Sequence, residues 1–496
     1  MIYIWAIGIY LAFLVGVSLY KSRSVKNQDD FMVAGRQVSA WFLVATLVCT
    51  WIGSGSLFGG AGRAFREGFS ALWMSAGAWA GIAIVYFLAP RVRRIAKYTV
   101  PDILEMRYTP AARLLGSLAI IIAYVTIASY QFKGGGRLLN ILLPEVEPLV
   151  GAAITCGLVV LYTVAAGMLS IVALDLLNGI VITVGILIAA PMLLNAAGGW
   201  SGLTQTLPET HFTAIGRTGI AQAMGLFFPT FFLLLGESGM YQKFMAAKNA
   251  ITARRAVIGM IIGVIVVETV LDSAGIFGAG LYWSDPAFRA ADGTFNQAAT
   301  ETIILHVARY NLAPFFGVLL LVGAVAIIFS TANSFLMVAS TNAARDIYQR
   351  FIAPEASQQR VILVQRVMIA TLAVLGFAAS TYFGSILAMA LYAYTMVGAA
   401  VTPALLAAFL WKRVTATGGT ISVAAGMAAC MLFAVLNQMG VESIPLGFTT
   451  MPLDYEYAIY PAGLASFAGL IIGSLMTRAS PEEKWAPFWA KAQAGE

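Results

Sequence analysis

The chain has 496 residues, of which 60% are hydrophobic and only 11% are charged. So little charge cannot cover a soluble domain of this length, which excludes a water-soluble enzyme or binding protein. The net charge of +7 is not a nucleic-acid signal either, because the basic residues gather in short loops between apolar runs.

Apolar runs long enough to cross a bilayer number about thirteen, centred near residues 11, 49, 80, 123, 158, 184, 231, 269, 328, 371, 398, 427 and 467. The expected fold is an all-α polytopic membrane protein, since barrel strands would alternate polar and apolar residues. The first run, Ile2 to Tyr20, lacks a basic start and a small-residue cleavage site, and reads as a retained helix. Lys21, Arg23, Lys26 and Arg36 follow it; Arg91, Arg93, Arg94 and Lys97 follow the third span; Lys243, Lys248, Arg254 and Arg255 follow the seventh. Arg345, Arg350 and Arg360 follow the ninth, Lys412 and Arg413 the eleventh, and Arg478 the last. These alternate loops are expected to face the cytoplasm, with the amino terminus outside and the carboxyl terminus inside. Arg63, Arg66, Arg217 and Arg289 are scattered exceptions on the other side.

The second span reads Cys49-Thr-Trp51-Ile52-Gly53-Ser54-Gly55-Ser56, then Gly59-Gly60 and Gly62. The seventh reads Leu235-Gly236-Glu237-Ser238-Gly239. Glycine and serine weaken a helix and free backbone groups to bind something. Two interrupted spans, five apart, fit an inverted-repeat transporter with its site between them at the midplane. Close helix packing is the competing use of such glycines. Between Ser284 and Asn311 an outer loop is expected, its second half, Gln297 to Tyr310, an amphipathic surface helix.

In the ninth span an apolar run leads into Ser330-Thr331-Ala-Asn333-Ser334. Residues 327, 330, 331 and 334 share one helical stripe, so the Ser330 and Thr331 hydroxyls lie beside the Ile327 carbonyl. Such an oxygen cluster at membrane depth suits a hard monovalent cation. Alternatively, the hydroxyls simply bond back to the preceding turn. Intramembrane acids point to function: Glu237 sits at the seventh-span break, and Glu268 and Asp272 stand at i, i+4 on the eighth span. Trp51 offers an aromatic face to a quaternary or protonated amine. Cys49, Cys156 and Cys430 fall in apolar segments and read as core residues, with no disulfide framework. His211 and His306, the only histidines, lie in loop-like sequence, so a histidine metal site is not expected. The tail after Arg478 is short and polar, with Trp485 and Trp489 suited to the membrane interface.

Five motifs in order resemble the sodium/solute symporter family across roughly residues 1 to 435. Asp30-Phe-Met-Val-Ala-Gly35-Arg36 is similar to its D-[YF]-x-x-[GA]-G-R signature, and Thr99-Val-Pro101-Asp102-Ile-Leu-Glu105-Met-Arg107-Tyr to T-x-P-[DE]-x-L-E-x-R-[FY]. Tyr162-Thr163, Gly167-Met168 and Asp175 resemble Y-T-x-x-G-G-[ML]…D. Gln242-Lys243 through Lys248 with Ala253-Arg254-Arg255-Ala256 resembles the Q-R-x-x-A-A-K…A-R-x-A loop, and the ninth span closes in Asp346-Ile-Tyr348 as D-[IL]-Y. Locally the sequence looks most like the choline-type branch, whose seventh-span tryptophan it lacks.

The resemblance implies a LeuT-like core. Its expected organisation is an extra helix and loop (1–37), repeat 1 (38–197), an extracellular loop (198–218), repeat 2 (219–411), two further helices (412–477) and a cytoplasmic tail (478–496). It implies a sodium ion as cofactor, held by the backbone carbonyls of Cys49, Ile52 and Ile327 and the hydroxyls of Ser330 and Thr331. Members that bind a second sodium do so at positions matching Asp175, Asn333 and Ser334. For Asp175 the competing reading is a helix-end residue bonding backbone amides. Trp51, Ser54, Glu237 and Glu268 are the candidate solute contacts. The expected activity is sodium-coupled import of a small organic solute, an amine or amino acid before a carboxylate, by alternating access. A proton-coupled permease is the alternative, and a membrane-embedded enzyme a more distant one. No catalytic residues, no nucleic-acid partner and no metal beyond sodium are expected. The expected partners are solute, sodium and lipid, in the plasma (inner) membrane, as a monomer or weak oligomer.

Overall fold

The computed structural model describes residues 2–489 apart from 24–26, 96, 218, 446, 448 and 449. Lys26 and residues 490–496 of the expected tail lie outside the described residues. Eleven helical stretches are long and apolar enough to cross a membrane, and Ala40–Trp51 and Ile459–Leu475 are shorter apolar helices. All thirteen centres named above fall on helices.

The helices that position the site are α1 (Ile2–Ser22), α2 (Ala40–Trp51), α3 (Ala61–Glu67), α4 (Leu72–Ile95), α5 (Pro110–Leu142) and α6 (Pro148–Ala196). They are followed by α7 (Gly219–Gly236), α8 (Ser238–Ala246), α9 (Ala250–Tyr282), α10 (Pro314–Thr341), α11 (Gln358–Ala379) and α12 (Ile386–Ala400). Helices α13 (Thr402–Leu410), α14 (Ala416–Gln438) and α15 (Ile459–Leu475) complete the bundle. Large apolar side chains line the outside, for example Ile258 and Ile262 on α9 and Leu363 and Val367 on α11. In water that exposure would be costly, whereas lipid is as apolar as the side chains themselves.

Helix α6 holds two predicted spans, and they meet at Gly167, where φ is +58°. A Cβ there would lie 2.7 Å from both the Phe31 ring and the Phe31 carbonyl oxygen. Left-handed backbone and close approach together require glycine, which explains its place in the Tyr162–Asp175 motif.

Both glycine-rich spans are broken. Helix α2 ends at Ile52, with φ −71° and ψ 102°, and the chain re-enters helix through a π-helical turn at Gly55–Gly60. Helix α7 gives way to α8 at Glu237, with φ −67° and ψ 102°. One extended residue interrupts each span, with nearly the same dihedrals. Packing alone would not extend the chain at these two points, so the broken-helix reading holds here.

Three expectations are corrected. The segment from Gln297 to Tyr310 is not one surface helix but two short ones, Gln297–Thr300 and Ile303–Tyr310, and Ile303, Ile304, Leu305, Val307 and Ala308 on the second are buried. They are drawn inward by Glu301, whose carboxylate pairs with Arg137 at 2.5 Å and accepts the backbone N–H groups of Ile386 and Leu387. His306 therefore lies on a helix rather than in a loop. Lys243 is not a loop cation: it lies on α8 with 1% exposure.

Where α5 begins and α10 runs out, the Thr99–Arg107 motif meets the end of the ninth span. Arg113 bonds Asp346 at 2.6 Å, Glu105 at 2.7 Å and Asp102 at 2.9 Å, while Thr99 Oγ1 donates to Asp346 at 2.9 Å. Arg350 adds a bond to Glu105 at 2.7 Å, with its own side chain 45% exposed. Burial alone would raise the Glu105 carboxyl, but bonds from Arg350 and Arg113 hold it below the usual carboxylate range. A lowered carboxylate contributes stability above its unfolded value and loses it as pH falls through the folded value. The Glu105 links are thus intact at neutral pH and lost only in acid. Arg113→Met should lower unfolding stability by about 3 kcal/mol or more, because it strands the buried Asp346. Arg350→Met should cost under about 1 kcal/mol, as an exposed pair does. Thermal unfolding of the purified variants checks the contrast.

Candidate functional site

The α2 break frees the Cys49 and Ile52 carbonyls for side-chain partners, and α10 supplies them. Ser330 Oγ lies 3.3 Å from the Cys49 carbonyl oxygen and 3.2 Å from that of Ile327. Thr331 Oγ1 lies 3.2 Å from the Cys49 carbonyl oxygen and 2.9 Å from that of Ile52. All five oxygen donors named from the sequence therefore converge in one buried place, contributed by two elements far apart in the chain. Ser330 does bond back to its own turn, but it also reaches α2, so back-bonding is only part of its role.

One turn before the break, Thr46 and Thr50 share a face of α2 by their i, i+4 spacing. Thr46 Oγ1 donates to Asp175 Oδ2 at 2.5 Å, and Cys49 Sγ donates to the Asp175 carbonyl at 3.1 Å. Asp175 is therefore an interior residue of α6 bonded across to α2, not a helix-end cap. Thr50 Oγ1 meets Ser334 Oγ at 3.1 Å. Asn333 turns the other way, its carbonyl oxygen accepting a close bond from Thr163 on α6. Lys243 Nζ enters this group from α8, touching Thr50 Oγ1 closely and lying 2.9 Å from the Thr46 carbonyl oxygen.

On the other side of the break, Glu268 receives Trp51 Nε1 at 2.8 Å, Ser56 Oγ at 3.2 Å and Trp79 Nε1 at 3.2 Å. Asp272, one turn along α9, accepts from Ser75 Oγ at 3.0 Å. Both acids are 3% exposed, and among the described residues no basic group lies within ion-pair distance of either. Trp51 stacks on Tyr394 of α12, ring centroids 6.2 Å apart, and Tyr394 meets Tyr130 hydroxyl to hydroxyl at 3.4 Å. The Ser54 backbone N–H donates to Gln131 at 3.0 Å, while the Ser54 hydroxyl and Gln131 Nε2 have no hydrogen-bond partner among the described residues.

Glu237 stands apart from this group. It caps α8, accepting the Gly239 N–H at 2.9 Å and the Met240 N–H closely, and also receives Tyr124 OH at 2.7 Å. The carboxylate completes the second break much as Ser330 and Thr331 complete the first. Sequence reading missed Lys243, Thr46, Trp79, Ser75 and Tyr394. The Thr46/Thr50 and Ser75/Trp79 pairs carry an i, i+4 signal, whereas nothing local marks Lys243 as buried.

Two discontinuous helices facing one another, with unwound carbonyls and hydroxyls gathered at the break, define a secondary transporter. The chain matches the sodium:solute symporter family over residues 31–426 and belongs to it. It is a multi-pass inner-membrane transporter that couples solute movement to sodium, and it is not an enzyme. Similar proteins include the sodium/proline symporter of Escherichia coli (strain K12), 24% identical over 98% of this chain and 95% of that protein. The sodium/pantothenate symporter of the same organism is 26% identical, covering 95% of this chain and 96% of its own. Among solved structures, a substrate-bound, outward-open sodium-coupled sialic acid symporter superposes with a TM-score of 0.80 at 16% identity, covering 97% of this chain and 98% of that chain. That likeness establishes the LeuT-like fold.

Glu237→Ala would leave the Gly239 and Met240 N–H groups and the Tyr124 hydroxyl without a buried acceptor, at a cost of about 1–3 kcal/mol. Glu237→Gln, which keeps a carbonyl acceptor, should cost less. Thermal unfolding should rank the two in that order, with sodium affinity unchanged in both.

Proposed function

We propose that the protein imports a small organic solute bearing a positively charged nitrogen, an amine or amino acid, together with sodium. The sodium ion is held by the carbonyls of Cys49, Ile52 and Ile327 and the hydroxyls of Ser330 and Thr331. The observation that carries this reading is the convergence of those five oxygens across the α2 break. Sodium favours such hard, neutral oxygens, and binding it ties α2 to α10.

The solute reading rests on the opposite side of the break. Glu268 and Asp272 are buried acids with no basic partner within ion-pair distance among the described residues, so a cationic group would relieve both. Trp51 and Tyr394 provide aromatic faces, worth roughly 0.5–2 kcal/mol to a cation. Ser54 and Gln131 keep polar atoms ready for the rest of the solute. Glu237 is spent on capping and drops out of the solute set. That similar proteins carry proline, by name, agrees with an ammonium-bearing cargo.

In this reading residues 38–197 and 219–411 form the two inverted repeats, supported by the matching dihedrals at Ile52 and Glu237. Loop charge supports thirteen crossings, with the amino terminus outside and the carboxyl terminus inside. A proton-coupled permease would use Glu268 or Asp272 instead, and would stay active without sodium.

Thermal stability of the purified full-length protein in sodium against potassium tests both halves. Sodium, and amines or amino acids only when sodium is present, should raise the midpoint; at 100 times Kd the gain is about 2.7 kcal/mol. Thr331→Ala should remove the sodium increment and Glu268→Gln the amine increment, each increment read against that variant's own midpoint in potassium, which Thr331→Ala lowers because the Ile52 carbonyl loses its donor. Equal effects of the two ions would remove the sodium site, and stabilisation by organic acids with Glu268→Gln unaffected would remove the solute class.

A further inference from the structure

The position at which some family members are expected to hold a second sodium is already filled by a positive charge. Lys243 Nζ lies against the Thr46 carbonyl oxygen (2.9 Å), Thr50 Oγ1 (in close contact), Ser334 Oγ (3.3 Å) and Asp175 Oδ2 (4.0 Å). One backbone carbonyl, two hydroxyls and a carboxylate, drawn from α2, α6 and α10, are an oxygen set suited to sodium. Two of the three expected second-ion residues, Asp175 and Ser334, belong to it. The third, Asn333, directs its oxygen to Thr163.

We propose that the Lys243 ammonium is a tethered cation that occupies the second-ion position throughout the cycle, so that the protein binds a single sodium ion. The proposal rests on the reading of Cys49, Ile52, Ile327, Ser330 and Thr331 as the sodium site. Asp175 is fully buried, and a carboxylate at membrane depth needs a partner of opposite charge. A protein without Lys243 could meet that need with a second sodium. Here the ammonium meets it, while its N–H groups donate to the oxygens that would otherwise ligate the ion. Sodium and ammonium cannot share these oxygens, because two unit charges that close repel strongly in so dry a place. The tether also gives Lys243 a mechanical role: from α8, the continuation of the second broken helix, it joins α2, α6 and α10 one turn from the mobile ion. The two broken helices are thereby linked by a charge that does not leave.

Equilibrium binding of radioactive sodium to the purified full chain counts the sites directly. The wild type should bind one ion per chain without cooperativity. Lys243→Ala, which leaves Asp175 exposed to an incoming ion, should bind two. Lys243→Ala with Asp175→Asn should return to one, since neither charge then remains. Two ions in the wild type, or one in a folded Lys243→Ala protein, would overturn the tethered cation and leave the first site standing. No sodium bound by the wild type would instead overturn the sodium-site reading itself. The wild-type count decides between one site and two even where the single variant fails to fold.

Discussion

A carbonyl released from its helix inside a membrane has no water to turn to, and each one left unsatisfied costs several kcal/mol. The rest of this structure depends on how that constraint is met at Ile52. The extended residue there ends α2 and frees the Cys49 and Ile52 carbonyls beside the site. Ser330 and Thr331 on α10 take them up. A hydroxyl donor satisfies these oxygens when no ion is bound, and the same hydroxyl can turn its lone pairs to an ion that is. The break is therefore stable in both situations, as a site that fills and empties requires. At the other break the freed groups are the Gly239 and Met240 N–H donors, and Glu237 takes them up as a fixed carboxylate cap, which suits a joint rather than a site.

Charge is arranged to the same end. The bundle buries Asp175, Glu268, Asp272, Glu301 and Asp346, and each must be answered. Arg137 and Arg113 answer Glu301 and Asp346, and these pairs hold the helices at the two ends of the site. Lys243 answers Asp175 beside the ion. Among the described residues Glu268 and Asp272 are answered only by hydrogen bonds, and in the proposed function a cargo completes them. The number of mobile ions then fixes how steeply solute can be gathered. One charge crossing 100 mV supplies about 2.3 kcal/mol, roughly a fiftyfold accumulation, and two supply about two thousandfold. On the tethered-cation proposal, a lysine in the second position sets the protein at the lower gearing.

What could be read from the sequence follows physical range. Span positions rest on local hydrophobicity, so every centre fell on a helix. The breaks at Ile52 and Glu237 were visible because glycine and serine weaken a helix where they stand. The oxygens of Ile327, Ser330 and Thr331 lie on one turn, and their geometry follows from helical spacing alone. Their meeting with Cys49 and Ile52 came through the family resemblance, since no local pattern joins residues about 280 positions apart. Lys243 was misplaced because a lysine at the end of an apolar run looks like a loop cation. Only the packed bundle shows that its side chain runs back among α2, α6 and α10. The Gln297–Tyr310 segment failed similarly: its amphipathic pattern was real, but Arg137 and the start of α12 draw Glu301 inward, and no neighbour in sequence announces that.

The central claim is that one sodium ion is bound where the α2 break meets α10. High-resolution maps of the purified protein in sodium, and in a bulky organic cation that cannot enter, test it most directly. The account predicts density in sodium alone, coordinated by the Cys49, Ile52 and Ile327 carbonyls and the Ser330 and Thr331 hydroxyls. Density that persists unchanged without sodium, or a sodium ion bound elsewhere with these five oxygens still bonded to one another, would contradict it.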